Sequence, residues 1–288
     1  MDTYVYINGD YVIEEKAVIS VFDRGFLLGD GLFETIRTYN GRPFMLKEHI
    51  ERMNNSLSHF HIPMILSPEK VNDTLKQLMK LNNLYNAYVR ITVSRGIHKG
   101  SLTLDDECDP TLIITIKEYT PYPSSFYKKG ITIIFSELMK HTPSPLAGHK
   151  TTSYLPYIMA REEARKRGAQ EAVITDANGY VTECTTSNLF VVKEGCLFTP
   201  KSESLMLRGI TRNAVLDIAN RLSIWWIETD VSAHFLPHGD EVFITNSLME
   251  VMPVAFVEDT AIGETIPGKI TTKLMRGYKE RIKNETTG

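Results

Sequence analysis

One segment in the middle of the 288-residue chain limits its possible folds more than any other feature. Residues 118–130, EYTPYPSSFYKKG, are rich in proline, tyrosine and serine, and their apolar residues follow neither a helical nor a strand period. A chain of this length is long enough for two packed domains. We therefore predict a linker at 118–130, an N-terminal domain over 1–117 and a C-terminal domain over 131–288.

Local patterns in the first domain predict short strands followed by helices. Asn8-Gly9-Asp10 lies between two apolar triplets and predicts a β-hairpin. Apolar residues at helical spacing predict one helix over 47–59 and a second from Ser67-Pro68 to about 83. Strands are predicted at 88–94 and 111–116.

The second domain alternates short apolar runs with periodic runs flanked by glycine or proline. The predicted strands are 131–135, 172–175, 189–192, 196–199, 224–228 and 241–244, and the predicted helices are 154–167, one from Thr211 and one after Pro267. Hairpins mixed with helices favour an α+β fold over a regular doubly wound sheet.

Composition excludes several classes of function. The net charge of −3 offers no general field for nucleic acid or for an anionic membrane, and no run approaches the roughly 18 apolar residues of a spanning helix. Cys108, Cys184 and Cys196 are too few and too scattered for a disulfide framework or a metal site. Residues 1–15 show no secretion signal. We therefore expect a cytoplasmic protein.

Lys150 is the first candidate for chemistry. It lies in SPLAGHKTTSYLP, where a loop rich in proline and glycine meets a predicted helix. A lysine that attacks a carbonyl must be partly desolvated so that its amine is neutral, and the mouth of a domain junction supplies that setting. The alternative is a solvated surface charge, and the local context alone does not exclude it.

Four further features could serve the same chemistry. Glu183, in GYVTECTTSNLF, is either an edge-strand carboxylate or an acid that keeps a pyridine nitrogen protonated. The helix start at 209–212 (Gly-Ile-Thr-Arg) offers N–H groups and a positive dipole end to a phosphate, and the turn at 244–247 (Ile-Thr-Asn-Ser) could add donors. Arg52 could neutralise that anion, or it is a solvated helix charge.

Seven short motifs follow one another along the chain: DRGFLLGDGLFETIR, EHIER, HKTTSYLP, GYVTECTTSNLF, LFTP, LRGITR and DEVFITNSLMEVMPV. From about Tyr6 to Val254 the chain resembles the class IV aminotransferases. These are the fold-type IV pyridoxal 5′-phosphate enzymes, which include branched-chain and D-amino-acid aminotransferases and 4-amino-4-deoxychorismate lyases. The resemblance implies a smaller N-terminal α/β domain and a larger C-terminal domain with a β-barrel-like core. It also implies a homodimer, with the cofactor between the domains and residues of both subunits at the substrate mouth.

Positions that match the family's motifs imply roles at the cofactor. Lys150 matches the lysine that carries the cofactor as a Schiff base and moves a proton, and Glu183 matches the acid on the pyridine nitrogen. Leu207 matches the apolar residue on the ring face, and Tyr154 matches a tyrosine that some members place against the phenolic oxygen. The positions that match the phosphate-binding residues are Arg52, Ile210, Thr211 and Ser247.

The implied substrate carries a carboxylate, so its partners should be cationic. Arginine is the better fork for a carboxylate and lysine the poorer one. The candidates in segments that the family places near the substrate mouth are Arg37, Arg90, Arg95 and Lys99. Each could instead form a surface ion pair. Phe33 could wall the pocket or pack beneath it.

The motifs leave the substrate open. Thr35 and the NSLME turn depart from the branched-chain enzymes, and the Arg-x-His pair of the D-amino-acid enzymes is not evident in 95–100. The lyases match best in FETIR, TECTTSNLF and NSLMEVMPV, but Lys99 stands where they have arginine. We predict transamination between an amino acid and a 2-oxo acid, with a D-amino acid favoured over an L-branched-chain one. The alternative is a lyase that releases pyruvate and 4-aminobenzoate.

Overall fold

The computed structural model describes residues 3–97, 100, 102–104, 108–141, 144–201 and 206–286. The chain forms two compact units. Unit 1 comprises Met1–Thr120, His149–Tyr154 and Ile282–Gly288, and unit 2 comprises Pro121–Gly148 and Leu155–Arg281. No helix in these described stretches is long and apolar enough to cross a membrane.

Unit 1 is built on one antiparallel sheet. Its elements are β1 (Tyr4–Ile7), β2 (Asp10–Ile13), α1 (Arg24–Leu28), β3 (Gly31–Tyr39), β4 (Arg42–Pro43), α2 (Leu46–His59), α3 (Pro68–Leu81), β5 (Ala87–Ser94) and β6 (Thr111–Glu118). The strands follow the order β2-β1-β6-β5-β3-β4.

Local signals explain the first elements. The β1–β2 hairpin is confirmed, and Asn8 and Gly9 at its turn both have positive φ, which these two residue types tolerate best. The two predicted helices are confirmed as α2 and α3. The Ser67 hydroxyl accepts from the Lys70 N–H at the start of α3, and proline occupies the first turn.

The sheet of unit 1 has two chemically different faces. Apolar side chains of β3 and β5 that include Leu32, Ile36 and Val89 pack in one core with α2 and α3. Because side chains alternate along a strand, the intervening residues point to the other face. That face carries Phe33 and Arg37 of β3 and Arg90 of β5, and we call it the open face of the sheet.

Unit 2 mixes parallel and antiparallel strands. Its elements are α4 (Ser124–Lys129), β7 (Ile131–Lys140), α5 (Leu155–Lys166), β8 (Glu171–Asp176), β9 (Val181–Cys184), β10 (Asn188–Lys193), β11 (Cys196–Pro200), α6 (Ile210–Arg221), β12 (Trp226–Thr229), β13 (Glu241–Asn246), β14 (Glu250–Val257), β15 (Thr260–Ala261) and α7 (Lys269–Thr286), whose last residues belong to unit 1. The sheet order is β12-β11-β10-β13-β14-β7-β8-β9, with β15 beside β14.

The predicted α+β class is confirmed, and the sheet of unit 2 curls into a half-barrel. Several elements differ from the sequence prediction, among them β7, α1 and β14. β7 continues five residues beyond the predicted strand 131–135, and neither α1 nor β14 was predicted. α1 has only five residues and no room for a helical period, and Pro253 interrupts the strand signal of β14. The predicted linker at 118–130 contains α4.

Candidate active site

The amine of Lys150 lies against two aromatic rings in unit 1. Its Nζ is 4.5 Å from the centroid of the Phe33 ring and 6.0 Å from that of Tyr154. These rings meet edge to face, with their centroids 5.5 Å apart. The Lys150 carbonyl accepts a hydrogen bond of 2.8 Å from the Phe33 N–H. The structure thus brings three of the predicted residues together and holds the half-buried lysine at both its backbone and its amine.

Two of the predicted substrate cations share the open face of the sheet. The guanidinium carbon of Arg90 lies 3.8 Å from the Phe33 ring centroid, and that of Arg37 lies 4.2 Å from the Tyr39 centroid and 3.8 Å from the Tyr119 centroid. A guanidinium stacked on a ring keeps its N–H donors at the edge of its plane. Both arginines therefore have the geometry of carboxylate forks.

Arg95 lies elsewhere and has structural partners. Its side chain is 1% exposed. Its guanidinium pairs with the Asp30 carboxylate and donates to the carbonyls of Phe60 and His61 at the end of α2. These contacts favour a structural role for Arg95. Lys99 lies outside the described residues.

Arg52 extends from α2 toward the buried acid Glu34. Two nitrogens of Arg52 donate to the two Glu34 oxygens at 2.7 Å each, and His49 Nδ1 lies 2.7 Å from the same carboxylate. Burial raises the pKa of Glu34, but Arg52 and then His49 more than offset it and leave the pKa well below its usual value. Glu34 thus orients Arg52, and the sequence reasoning missed it because the two residues are 18 positions apart.

Glu183, on β9, is held by three hydrogen bonds in unit 2. Its Oε1 accepts from Lys140 Nζ at 2.5 Å and from the Tyr157 hydroxyl at 3.1 Å, and its Oε2 accepts from the Leu207 N–H at 3.0 Å. Burial, and then the charge of Glu183, raises the pKa of Tyr157, which keeps that hydroxyl protonated as a donor. Lys140 and Tyr157 carried no sequence signal, since only the fold brings them to Glu183.

The start of α6 carries two of the predicted phosphate residues. Gly209 occupies the N-cap position, where no side chain accepts a hydrogen bond from the helix, and Ile210 and Thr211 begin the first turn. A Cβ on Gly209 would lie 2.0 Å from Asn188 Oδ1, so any larger residue there would have to displace the Asn188 side chain or the helix start. Asn188 also donates to the Leu207 carbonyl at 2.8 Å. Leu207 therefore connects Glu183 to the start of α6.

The end of β13 adds hydroxyl groups near this helix start. Thr245 is the cross-strand partner of Asn188, and it is buried. Within the described part of the chain, its Oγ1 has no hydrogen-bond partner. Asn246 Oδ1 accepts from the N–H groups of Leu248 and Met249, which fixes the turn that contains Ser247. An uncapped helix start beside an unsatisfied hydroxyl is suited to an anion.

The chain is similar to several curated proteins over almost its whole length. Residues 31–257 match the profile of the family described as Amino-transferase class IV. A Methanocaldococcus jannaschii protein, provisionally named a branched-chain-amino-acid aminotransferase, is 37% identical over 96% of this chain and 95% of its own. The aminodeoxychorismate lyase of Bacillus subtilis is 32% identical (97% and 95% covered), and a D-alanine aminotransferase of Staphylococcus haemolyticus is 30% identical (99% and 100%).

Solved structures extend the similarity to the fold. The branched-chain amino acid aminotransferase of Escherichia coli superposes with a TM-score of 0.93 at 29% identity, over 99% of this chain and 96% of that one. A second branched-chain amino acid aminotransferase, solved with pyridoxamine 5′-phosphate, superposes with a TM-score of 0.88 at 28% identity, over 99% and 95%.

Proposed function

The chain belongs to the class IV aminotransferases, enzymes that depend on pyridoxal 5′-phosphate, and from this premise we propose that it moves an amino group between an amino acid and a 2-oxo acid. The observation that carries the proposal is the position of the Lys150 amine. It lies against Phe33, on the same sheet face as the stacked arginines Arg37 and Arg90. A primary amine beside carboxylate forks suits a substrate that has both an amino group and a carboxylate.

The residues of unit 2 suit a phosphorylated pyridine. When bound, the cofactor acts as an electron sink for the substrate α-carbon. Glu183 accepts three hydrogen bonds among the described residues, and a carboxylate has about four acceptor positions, so one is left for a protonated ring nitrogen. We propose that Glu183 holds the ring nitrogen.

The phosphate would be held by N–H and hydroxyl donors. We assign it to the N–H groups of Ile210 and Thr211 and to Ser247, because the uncapped start of α6 and the unsatisfied Thr245 hydroxyl provide an anion cradle. Arg52, oriented by Glu34, is the cation of this set. The remaining assignments are Leu207 at the ring face and Tyr154 at the phenolic oxygen.

The cofactor assignment is tested through Lys150. Purified holoenzyme should show the near-visible absorption of a lysine-bound cofactor, and Lys150→Ala should lose this absorption on dialysis. Lys129→Ala, an exposed lysine in unit 2, should keep it. Retention of the band by dialysed Lys150→Ala protein would overturn the role of this lysine.

Two classes of amino donor fit transamination. A D-amino acid, which we predict slightly ahead of an L-branched-chain one, is supported by the similarity to the S. haemolyticus D-alanine aminotransferase. An L-branched-chain donor is supported by the higher identity to the M. jannaschii protein and by the E. coli superposition. Mixing the holoenzyme with single amino acids, without an acceptor, distinguishes them: D-alanine or D-glutamate should convert the absorption band in the first case, and L-leucine in the second.

Lyase activity is the second candidate, and the 32% identity to the B. subtilis lyase favours it specifically. Both reactions use the Lys150 amine to move a proton. A lyase should leave the band unchanged with all single amino acids and should release pyruvate from aminodeoxychorismate. Conversion by any amino acid, with no pyruvate released, would exclude it.

We also propose that the protein is a homodimer in the cytoplasm. Unit 1 exposes apolar side chains around α1: Val18, Ile19, Val21, Phe22, Phe26, Leu27 and Leu28. An apolar patch of this kind on a folded protein supports an interface.

The three cysteines are free thiols, which supports a reducing compartment.

A further inference from the structure

His149, the residue before Lys150, is held by the end of α2. Its Nδ1 lies 2.9 Å from the hydroxyl of the buried Ser56. Its ring stacks on His59, with centroids 4.3 Å apart, and meets Phe60 edge to face at 4.7 Å. One hydrogen bond and two ring contacts therefore fix the His149 side chain.

The backbone that follows His149 is fixed by β3. The Lys150 carbonyl accepts from the Phe33 N–H, and the Thr152 N–H donates to the Gly31 carbonyl, both at 2.8 Å. Thr151 forms a bridge with Leu32. Side chains alternate along an extended chain, so His149 points to the α2 side of the sheet and Lys150 points to the open face.

We propose that His149 is a positioning residue for Lys150, and that it acts through its hydrogen bond to Ser56. The proposal rests on the proposed function of Lys150. A lysine amine sits on a flexible four-carbon stem, so its location depends on how firmly the backbone is held. Here β3 holds the carbonyl side of Lys150, and α2 holds the preceding residue. The His149–Ser56 contact thus keeps the amine at the Phe33 ring.

A positioning role differs measurably from simple packing. Substitution of a residue that only packs lowers the stability of the fold, and the activity falls because less protein is folded. A positioning residue changes the reactivity of the Lys150 amine while the fold remains equally stable, and a misplacement of about 1 Å can cost about 100-fold in rate.

Four variants separate these roles. His149→Phe keeps an aromatic ring against His59 but removes the hydrogen bond. Ser56→Ala removes the bond from the other side. His149→Asn keeps a polar atom near the position of Nδ1 and is the conservative rescue. Ser58→Ala, at an exposed serine on the same helix, is the matched control.

Three measurements are made on each protein. The first is the rate at which added pyridoxal phosphate attaches to Lys150 of the cofactor-free chain, followed by absorbance and confirmed by borohydride reduction and peptide mass. The second is kcat and KM of the holoenzyme. The third is the midpoint of thermal unfolding.

We expect His149→Phe and Ser56→Ala to slow attachment and kcat by about 10-fold to 100-fold with KM unchanged. Their unfolding midpoints should stay near that of the native chain, and His149→Asn should restore most of the rate. Native rates in both variants, or losses that follow the unfolding midpoint, would overturn the positioning role. If the native chain itself takes no cofactor on Lys150, the proposed function fails instead.

Discussion

Glu34 joins Arg52 and His49 in the interior of unit 1, and its charge makes this unit sensitive to acid. Its pKa lies well below the usual value because Arg52 and His49 outweigh the effect of burial. A carboxylate with a lowered pKa stabilises the fold fully above its unfolded pKa, near 4.5. That contribution is lost as the pH falls below this value toward the folded pKa.

Glu34→Gln should remove this acid-sensitive contribution. At pH 7 we expect the free energy of unfolding to fall by about 3 kcal/mol, because the variant leaves Arg52 without its buried anion. The difference from the native chain should shrink between about pH 5 and about pH 3, where native Glu34 loses its own advantage. Urea unfolding at each pH measures the difference in free energy of unfolding. Glu51→Gln, on the exposed side of α2, is the control, and a difference that stays constant with pH would contradict the prediction.

Arg90 is the residue whose loss should affect substrate binding most directly. A hydrogen bond to a charged group contributes about 1.5–3 kcal/mol, so Arg90→Met should raise KM for the 2-oxo acid about 10-fold to 100-fold. Arg90→Lys keeps the positive charge but loses the two-pronged hydrogen bonding of arginine, so its KM should lie between those of the native chain and Arg90→Met. Steady-state kinetics test this against Arg42→Met, an exposed arginine of the same unit. An unchanged KM in Arg90→Met would remove it from the substrate site.

At the scale of elements, the sequence predicts what short-range signals determine. The helix α3 begins at a serine cap followed by proline, and the β1–β2 hairpin has an Asn-Gly turn. Pairing between distant segments has no such signal. The bridge between Leu32 and Thr151 joins residues about 120 positions apart, so only the folded chain shows that the lysine segment lies beside β3.

The same limit applies to the candidate site. The family motifs pointed to Lys150 and Glu183, because the chemistry requires those residue types in that order. The supporting residues could not be found in this way. Lys140 reaches Glu183 across 43 positions, and Glu34 reaches Arg52 across 18, so both depend on tertiary packing.

The start of α6 depends on the absence of one side chain. The backbone of Gly209 has φ −65°, which any residue can adopt, so the glycine is favoured here by space and not by backbone conformation. Gly209→Ala would bring Cβ against Asn188 Oδ1 and should displace the first turn. We expect pyridoxal phosphate to bind about 10-fold more weakly, since misplaced N–H groups lose hydrogen bonds to a charged phosphate. Equilibrium titration of the cofactor-free chain measures this.

Asn188 provides the internal check on this prediction. Asn188→Ala removes the colliding oxygen, and it also removes the bond to the Leu207 carbonyl. In the double variant Gly209→Ala/Asn188→Ala, affinity should recover to that of Asn188→Ala alone. If the losses of cofactor affinity in the two single variants simply add in the double variant, the clash with Asn188 is not the cause of the weaker binding in Gly209→Ala.

At the scale of the whole molecule, the exposed residues around α1 set the expected assembly. Val18 is 78% exposed, Phe22 62% and Phe26 69%, and these residues lie close to one another along the chain. Apolar side chains that are exposed singly are common on protein surfaces, but a run of this density is typical of an interface. A dimer with twofold symmetry buries the same surface of both copies, so each copy would contribute this run to the interface.

Phe26→Glu should convert the dimer to a monomer, because a dimer with twofold symmetry would bury the new charge in both copies. Size-exclusion chromatography with light scattering should give twice the chain mass for the native protein and the single-chain mass for the variant. Ile65→Glu, at an isolated isoleucine that is 89% exposed in the same unit, is the matched control and should remain dimeric. A native monomer would refute the dimer. A Phe26→Glu protein that stays dimeric would move the interface away from α1.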